Sequence, residues 1–158
     1  FLDTAYTSDN DNDPTGIVAA KQIDSLLYIV DAREVWKEFP DLISFLKQYF
    51  NEKGYTKKSK VYIEPKASGK SITQYFQKQT DFNVIEDKPP RESKDARLRA
   101  ISPKLEAKKV YLLSGTWNDN FIQQITHAKP RRDDMRDAMV MAVRKLLIEQ
   151  STARISWR

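Results

Sequence analysis

Residues 16–30, GIVAAKQIDSLLYIV, place two β-type segments close together and decide the fold class. Residues 16–23 predict one strand, and the continuous apolar run of residues 26–30, rich in β-branched side chains, predicts a strand buried on both faces. Residues 1–6 predict an earlier strand, which an acidic, turn-rich segment joins to residue 16 as a hairpin. Three consecutive strands at the start of the chain indicate a meander.

The rest of the chain alternates helices and strands. Apolar residues at helical spacing predict a helix from Asp41 to Gly54. The other predicted elements are strands over residues 60–64, 82–85 and 109–113 and helices over residues 71–78, 93–101, 118–125 and 133–148. Pro103 is expected to interrupt or kink the helix that starts at residue 93. This order predicts an α/β fold in which an antiparallel meander and later parallel strands form one mixed sheet, with helices on both faces.

The composition narrows the chemistry available to the chain. Its 158 residues, 40% hydrophobic and 31% charged, are typical of one globular domain, so we expect residues 1–158 to form a single, monomeric unit. The absence of cysteine excludes disulfides, thiolate metal sites and cysteine nucleophiles, and His127 is the one histidine. Any metal must therefore be held by oxygen. The net charge of +5 favours polyanionic partners.

The ends and apolar runs of the chain give two further expectations. No apolar run approaches the roughly 20 residues of a membrane span, and the first residues form no secretory signal, so no membrane partner is expected. The chain starts with Phe1, inside a predicted strand, rather than with methionine. This start indicates a fragment of a longer polypeptide whose missing part lies upstream.

Acidic side chains occur at three informative places. Asp3 lies in the apolar first strand, and Glu64 ends a central-looking strand, at the edge where open α/β sheets bind ligands. Asp133, Asp134 and Asp137 open the final helix and can share one face of it. Each has an ordinary alternative, since a strand acid can face water and aspartate is favoured at helix starts. Three acids in one turn repel one another unless a cation neutralises them, which favours metal binding.

Hard cations such as Mg2+ and Mn2+ take oxygen ligands. Two such ions about 3.5–4 Å apart can stabilise the attacking and leaving oxygens of an in-line phosphoryl displacement. Carboxylates from two strands and one helix start would supply ligands for such a pair. The acids therefore predict a metal-dependent nuclease that leaves 5′-phosphate and 3′-hydroxyl ends.

The segments that carry these acids resemble the nuclease domain of phage terminase large subunits, which belongs to the RNase H-like superfamily. The resemblance extends over nearly the whole chain, from residues 1–3 (FLD) through residues 62–64 (YIE) to residues 133–138 (DDMRDA), the most specific piece. Between these segments, the chain resembles the family's Lys-x-x-Arg helix, the next strand and the helix after it. The residues that carry this resemblance are 94–97, 101–106, 109–111 and Trp117.

The resemblance implies an RNase H-like fold and a metal site. It implies that Asp3, Glu64, Asp134 and Asp137 are catalytic and hold two Mg2+ or Mn2+ ions, and it leaves open whether Asp133 or Asp134 is the main ligand from the last helix. It also implies cutting of concatemeric double-stranded viral DNA during genome packaging, in the cytoplasm of an infected bacterium. The implied partners are the portal protein and the terminase small subunit, with an ATPase domain upstream.

Basic residues near the acids are candidates for contacts with DNA phosphates. The main candidates are Lys66, Lys70, Lys94, Arg97, Arg131 and Arg132. Further candidates are Lys57, Lys58, Lys88, Arg91 and Arg99. Tyr75, Phe76 and Trp117 are interpreted as core residues rather than as platforms for base stacking.

Two other motifs fail on spacing. Residues 67–71 (ASGKS) follow a strand and open a helix as a Walker A loop does, but Glu64 occupies the position of the required first glycine. Residues 9–13 alternate acids as a calcium loop does, but the required glycine and distal glutamate are absent. Two alternatives to the terminase interpretation stay open: another RNase H-like nuclease, such as a Holliday junction resolvase or transposase core, and a non-catalytic basic nucleic-acid-binding or assembly module.

Overall fold

A computed structural model describes residues 1–6, 9, 11, 13–127 and 130–149. The strands of its single sheet are β1 (Leu2–Asp3), β2 (Thr15–Ile23), β3 (Leu26–Val35), β4 (Val61–Ile63), β5 (Val84–Glu86) and β6 (Val110–Leu112). The helices are α1 (Phe39–Glu52), α2 (Ala67–Gln79), α3 (Lys94–Glu106), α4 (Asn118–Thr126) and α5 (Asp134–Val143), which a π-helical segment (Arg144–Glu149) continues.

The six strands are ordered β5-β4-β1-β2-β3-β6. The pairs β1–β2 and β2–β3 are antiparallel, whereas β1–β4, β4–β5 and β3–β6 are parallel. The predicted mixed sheet, a meander extended by parallel strands, is therefore confirmed. Asp3 pairs with Gly16, and Gly16 pairs with Glu34, so these three residues form one row across the sheet and point to the same face.

Two hydrophobic cores lie on opposite faces of the sheet. The first packs α1 and α2 on Leu2 and Ile17. The second packs α3, α4 and α5 on Val18 and Ile29. Because Ile17 and Val18 are consecutive in β2, strand alternation assigns them to opposite faces, and helices on both faces are confirmed. Phe76 is fully buried in the first core, as predicted.

Strands β1 and β3 differ most from their predicted bounds. β1 ends at Asp3 rather than at residue 6, because the Thr15 hydroxyl, not a backbone partner, accepts from the Ala5 amide at 3.1 Å and donates to the Ala5 carbonyl at 2.8 Å. β3 continues to Val35 rather than ending at residue 30. Its pairing with β2 changes register between Ala19 and Ala20 of β2. The first half of β3 is buried on alternate residues rather than on both faces.

The helices also differ from prediction in three places. α2 begins at Ala67 rather than Ser71. α3 continues through Pro103 to Glu106, although proline removes one backbone donor from the helix. The last predicted helix changes to a π-helix after Val143, which brings Arg144 and Lys145 against the buried carboxylate of Asp87. Within the described ranges, no helix is long and apolar enough to cross a membrane.

Candidate functional site

Asp3 and Glu64 lie side by side at the ends of two neighbouring parallel strands. Leu2 pairs with Ile63, and the Glu64 amide donates to the Leu2 carbonyl at 3.1 Å. Both carboxylates are buried, and Nζ of Lys66 lies 2.8 Å from Oδ1 of Asp3 and 3.6 Å from Oε2 of Glu64. Burial raises the pKa of both carboxyl groups, and the charge of Lys66 only partly opposes it. The pair is therefore a buried site of negative charge.

The first turn of α5 places Asp134 over β2. A β-carbon at Gly16 would overlap the Asp134 carbonyl group and come within 2.8 Å of the Asp134 β-carbon. Burial raises the pKa of Asp134 to about 7, and the negative charges of Asp3, Asp13 and Asp133 add to the shift. Oδ2 of Asp134 is buried without a hydrogen-bond partner among the described residues. A buried, unpartnered carboxylate oxygen is a feature that a cation would stabilise.

Lys94 joins the other two acids of the last helix. Its Nζ lies 2.7 Å from Oδ2 of Asp137 and 2.9 Å from Oδ1 of Asp133, and Arg136 also contacts Asp133 at 3.1 Å. Burial alone would raise the pKa of Asp133, but Lys94 and Arg136 outweigh it and lower the pKa. Asp133 occupies the N-cap position, yet its side chain caps no backbone amide. The capping alternative therefore does not explain Asp133.

The acids predicted from the sequence meet at one end of the sheet, on the face that α5 covers. The charge of Asp137 raises the pKa of both Asp3 and Glu64, and the charge of Asp3 raises the pKa of Asp134. A cleft of about 410 Å³ opens beside them, with Asp3, Asp134 and the two lysines Lys66 and Lys94 in its wall. The structure thus brings Asp3, Glu64, Asp134 and Asp137 together, whereas Asp133 lies at the rim, more exposed than the others.

The donor chemistry of the site fits a hard divalent cation, because every candidate ligand is a carboxylate and Oδ2 of Asp134 is buried without a hydrogen bond from any described residue. In the present side-chain conformations, no three acidic or imidazole groups of the described residues lie close enough together to hold one ion. The ammonium groups of Lys66 and Lys94 contact oxygens of Asp3 and Asp137. Ion binding therefore requires these side chains to shift.

The six main candidates for DNA contact lie in three places. Lys66 and Lys94 contact the acids directly, and the charge of Arg97 lowers the pKa of Glu64. Lys70 is exposed on α2. Arg131 is exposed beside Arg132 in a groove of about 470 Å³ between α4 and the start of α5. Arg132 stacks over the Trp36 ring, with 4.9 Å from its guanidinium carbon to the ring centroid.

Sequence reasoning missed two glycines that let backbones approach the acids. Gly16 packs against the backbone of Asp134. A β-carbon at Gly69 would overlap the carbonyl oxygen of Glu64 and lie 3.1 Å from its carbonyl carbon. The Walker-like segment therefore contains glycine because α2 starts against Glu64. Glycine at the start of a strand or helix beside a predicted ligand is the signal that could have identified both.

Comparison with known families and structures identifies the fold. The Terminase RNaseH-like domain family matches residues 1–146, so the chain belongs to this family. None of the curated proteins matches the sequence significantly. Among solved structures, the human cytomegalovirus terminase nuclease domain is 16% identical with a TM-score of 0.64, over 97% of this chain and 84% of that one.

Two further structures share the fold. A manganese-soaked, inhibitor-bound form of the cytomegalovirus domain is 14% identical with a TM-score of 0.58, over 97% of this chain and 83% of that one. The yeast mitochondrial Holliday junction resolvase is 11% identical with a TM-score of 0.56, over 90% of this chain and 75% of that one. At these identities the likeness shows the fold alone. The predicted RNase H-like fold and the resemblance to terminase nuclease domains are confirmed.

Proposed function

We propose that this domain is a divalent-metal-dependent DNA endonuclease that cuts concatemeric viral DNA during genome packaging. The observation that carries the proposal is the convergence of Asp3, Glu64, Asp134 and Asp137, distant in sequence, on one end of the sheet. Buried carboxylates that repel one another destabilise the fold unless cations neutralise them. Membership of the terminase family supports double-stranded DNA as the substrate.

Asp3, Glu64, Asp134 and Asp137 would hold two Mg2+ or Mn2+ ions. When bound, such ions supply an activated water and neutralise the charge that develops on the departing 3′ oxygen. We assign the main ligand role of the last helix to Asp134 rather than Asp133, because Asp134 is buried with an unpartnered oxygen whereas Asp133 is paired with Lys94 and Arg136. The manganese-soaked state of the related cytomegalovirus domain supports the choice of metal.

The basic candidates extend from the acids in two directions along the surface. Lys66 directly precedes α2, Lys70 lies in its first turn, and Arg131 and Arg132 precede α5. This arrangement supports a DNA backbone that crosses the cleft between them, with Lys94 and Arg97 nearest the scissile phosphate. In the complete packaging motor, we expect an ATPase domain upstream, the portal protein and the terminase small subunit as partners, and action in the cytoplasm of an infected bacterium.

Plasmid nicking with Mn2+ or Mg2+ tests the activity. We expect the wild-type domain to convert supercoiled plasmid to nicked and linear forms, and Asp3→Asn to reduce the rate by at least about 100-fold, since it removes a carboxylate ligand. Asp81→Asn, the same change at an exposed loop aspartate, serves as the matched control and should cut at the wild-type rate. Full cleavage by Asp3→Asn would defeat the assignment.

Holliday junction resolution is the second candidate, because the yeast mitochondrial resolvase shares the fold. A four-way junction and a linear duplex of the same sequence separate the two activities. Faster cleavage of the junction favours a resolvase, and equal cleavage favours the packaging nuclease. Calorimetry with Mn2+ tests the third possibility, a non-catalytic module, which predicts no binding heat and no thermal shift.

A further inference from the structure

The side chain of Gln124 connects α4 to the first turn of α5. It is 5% exposed, and both ends of its amide are used. Oε1 accepts a hydrogen bond from the Met135 amide at 3.2 Å, and Nε2 donates to Oε1 of Glu34 at 2.7 Å. The other carboxylate oxygen of Glu34 accepts from Nδ2 of Asn120 at 2.9 Å. The Gln124 side chain is thus held in one orientation by its hydrogen bonds to β3 and α5.

The donor of this contact, the backbone amide of Met135, directly follows the proposed metal ligand Asp134 in the chain. Glu34 shares a row of the sheet with Gly16 and Asp3, and the Asp134 backbone lies over Gly16. The first turn of α5 therefore lies between Asp3 on one side and the Glu34–Gln124 pair on the other. The hydrogen bond from the Met135 amide to Gln124 ties this turn to α4, whereas Lys94 ties it to α3 through the carboxylates of Asp133 and Asp137.

We propose that Gln124 is a positioning residue for Asp134. By holding the Met135 amide, Gln124 fixes where α5 begins and so how far the Asp134 carboxylate lies from Asp3. Partners that orient ligands without touching the ion typically change metal affinity or activity by about 10–100-fold when they are replaced. The consequence for metal binding rests on the proposed function, whereas the hold on α5 does not.

A swap of the two side chains tests the proposal. Gln124→Glu keeps the size of the side chain and its acceptor for the Met135 amide, but it sets a carboxylate against Glu34. Adding Glu34→Gln restores all three hydrogen bonds. The bond between residues 34 and 124 is then reversed, because the new amide at residue 34 donates to residue 124 and accepts from Asn120. Gln123→Glu makes the same change at the exposed neighbouring position of α4 and is the matched control.

Two measurements on the folded protein are made for each variant: the Mn2+ affinity by calorimetry and the hydrogen exchange of the Met135 amide by NMR. We expect Gln124→Glu to weaken Mn2+ binding about 10–100-fold and to speed the exchange about tenfold. The double variant should return both to near the wild-type values, and Gln123→Glu should leave both unchanged. If Gln124→Glu does not fold, Gln124→Met, which keeps the shape and removes both bonds, should show the same two losses.

Unchanged exchange and affinity in Gln124→Glu overturn the inference, as does a folded double variant that recovers neither. Faster exchange with unchanged Mn2+ affinity also overturns it, because Gln124 then holds α5 without positioning Asp134. A wild-type protein that binds no Mn2+ overturns the proposed function instead, and the exchange rate of Met135 alone then decides whether Gln124 holds the start of α5.

Discussion

The backbone of Asp134 packs directly on the α-carbon of Gly16, with no room between them for a β-carbon. Because Gly16 pairs with Asp3 in the adjacent strand, this contact brings the start of α5 next to the end of β1. The proximity of two acids separated by most of the chain thus depends on a residue that has no side chain.

Gly16→Ala should therefore separate Asp134 from β2. The added methyl group overlaps the Asp134 carbonyl, and overpacking of this kind typically destabilises a protein by about 1–3 kcal/mol. We expect lower thermal stability together with weaker Mn2+ binding by calorimetry. Gly54→Ala is the control, because Gly54 has a φ of 69° and no atom of the residues that the structure describes lies within 4 Å of its added β-carbon. It should lose stability but keep its Mn2+ affinity, and equal affinities in both variants would contradict the prediction.

The raised pKa of Asp134 makes stability depend on pH. The pKa is about 7 in the folded protein, against about 3.9 for an aspartate in an unfolded chain. Between pH of about 4 and 7 the folded state therefore binds a proton that the unfolded state has lost, so this group lowers stability as the pH rises through that window. Asp134→Asn should raise the melting temperature at pH 8 by about 2–4 °C, the shift for about 1 kcal/mol in a domain of this size.

The same substitution should have little effect at about pH 3, which is below both pKa values, because both states then bind the proton, and it should reduce the stabilisation that Mn2+ gives at pH 8. Thermal melts of the wild type, Asp134→Asn and the exposed control Asp81→Asn across this pH range provide the measurement. Parallel curves for Asp134→Asn and the wild type would rule out the assigned pKa.

Lys94 should compete with cations for the acids of α5. Lys94→Gln removes the charge that neutralises Asp137 and Asp133, and because the lysine side chain is 46% exposed the loss of stability should be only about 1 kcal/mol. Mn2+ should then stabilise the variant more than the wild type, as seen in the thermal shift. The exposed Lys78→Gln on α2 is the matched control and should respond to Mn2+ as the wild type does. A smaller Mn2+ shift in Lys94→Gln would argue against competition.

Asp87 should anchor the end of the last helix. Its buried carboxylate contacts Arg144 and lies 2.6 Å from Nζ of Lys145. Asp87→Asn removes the negative charge that neutralises the side chains of Arg144 and Lys145. It should lower the free energy of unfolding by about 3 kcal/mol, the order found when one partner of a buried ion pair is removed. Denaturant unfolding provides the measurement, with the exposed neighbour Glu86→Gln as control. Equal losses in the two variants would mean that the ion pairs contribute nothing specific.

Most of the elements could be predicted because their signals are local. The alternation in residues 16–23 and the apolar spacing after Asp41 act within one strand or one helix, and both elements are present. The misplaced bounds have causes outside the elements themselves. β1 ends early because the Thr15 side chain bonds to Ala5, and α2 starts early because Gly69 packs on Glu64. Neither contact leaves a periodic pattern in the sequence.

The sequence by itself determined the elements, their order and the identity of the acids, because strand alternation, helical spacing and residue chemistry are properties of neighbouring positions. Only the tertiary structure decided which acid of the last helix turns inward beside Asp3, which lysines neutralise the carboxylates, and that Gln124 and Glu34 hold the start of α5. These relations join residues tens of positions apart, and they arise from the packing of α5 on Gly16, a close approach that depends on the shape of the whole sheet.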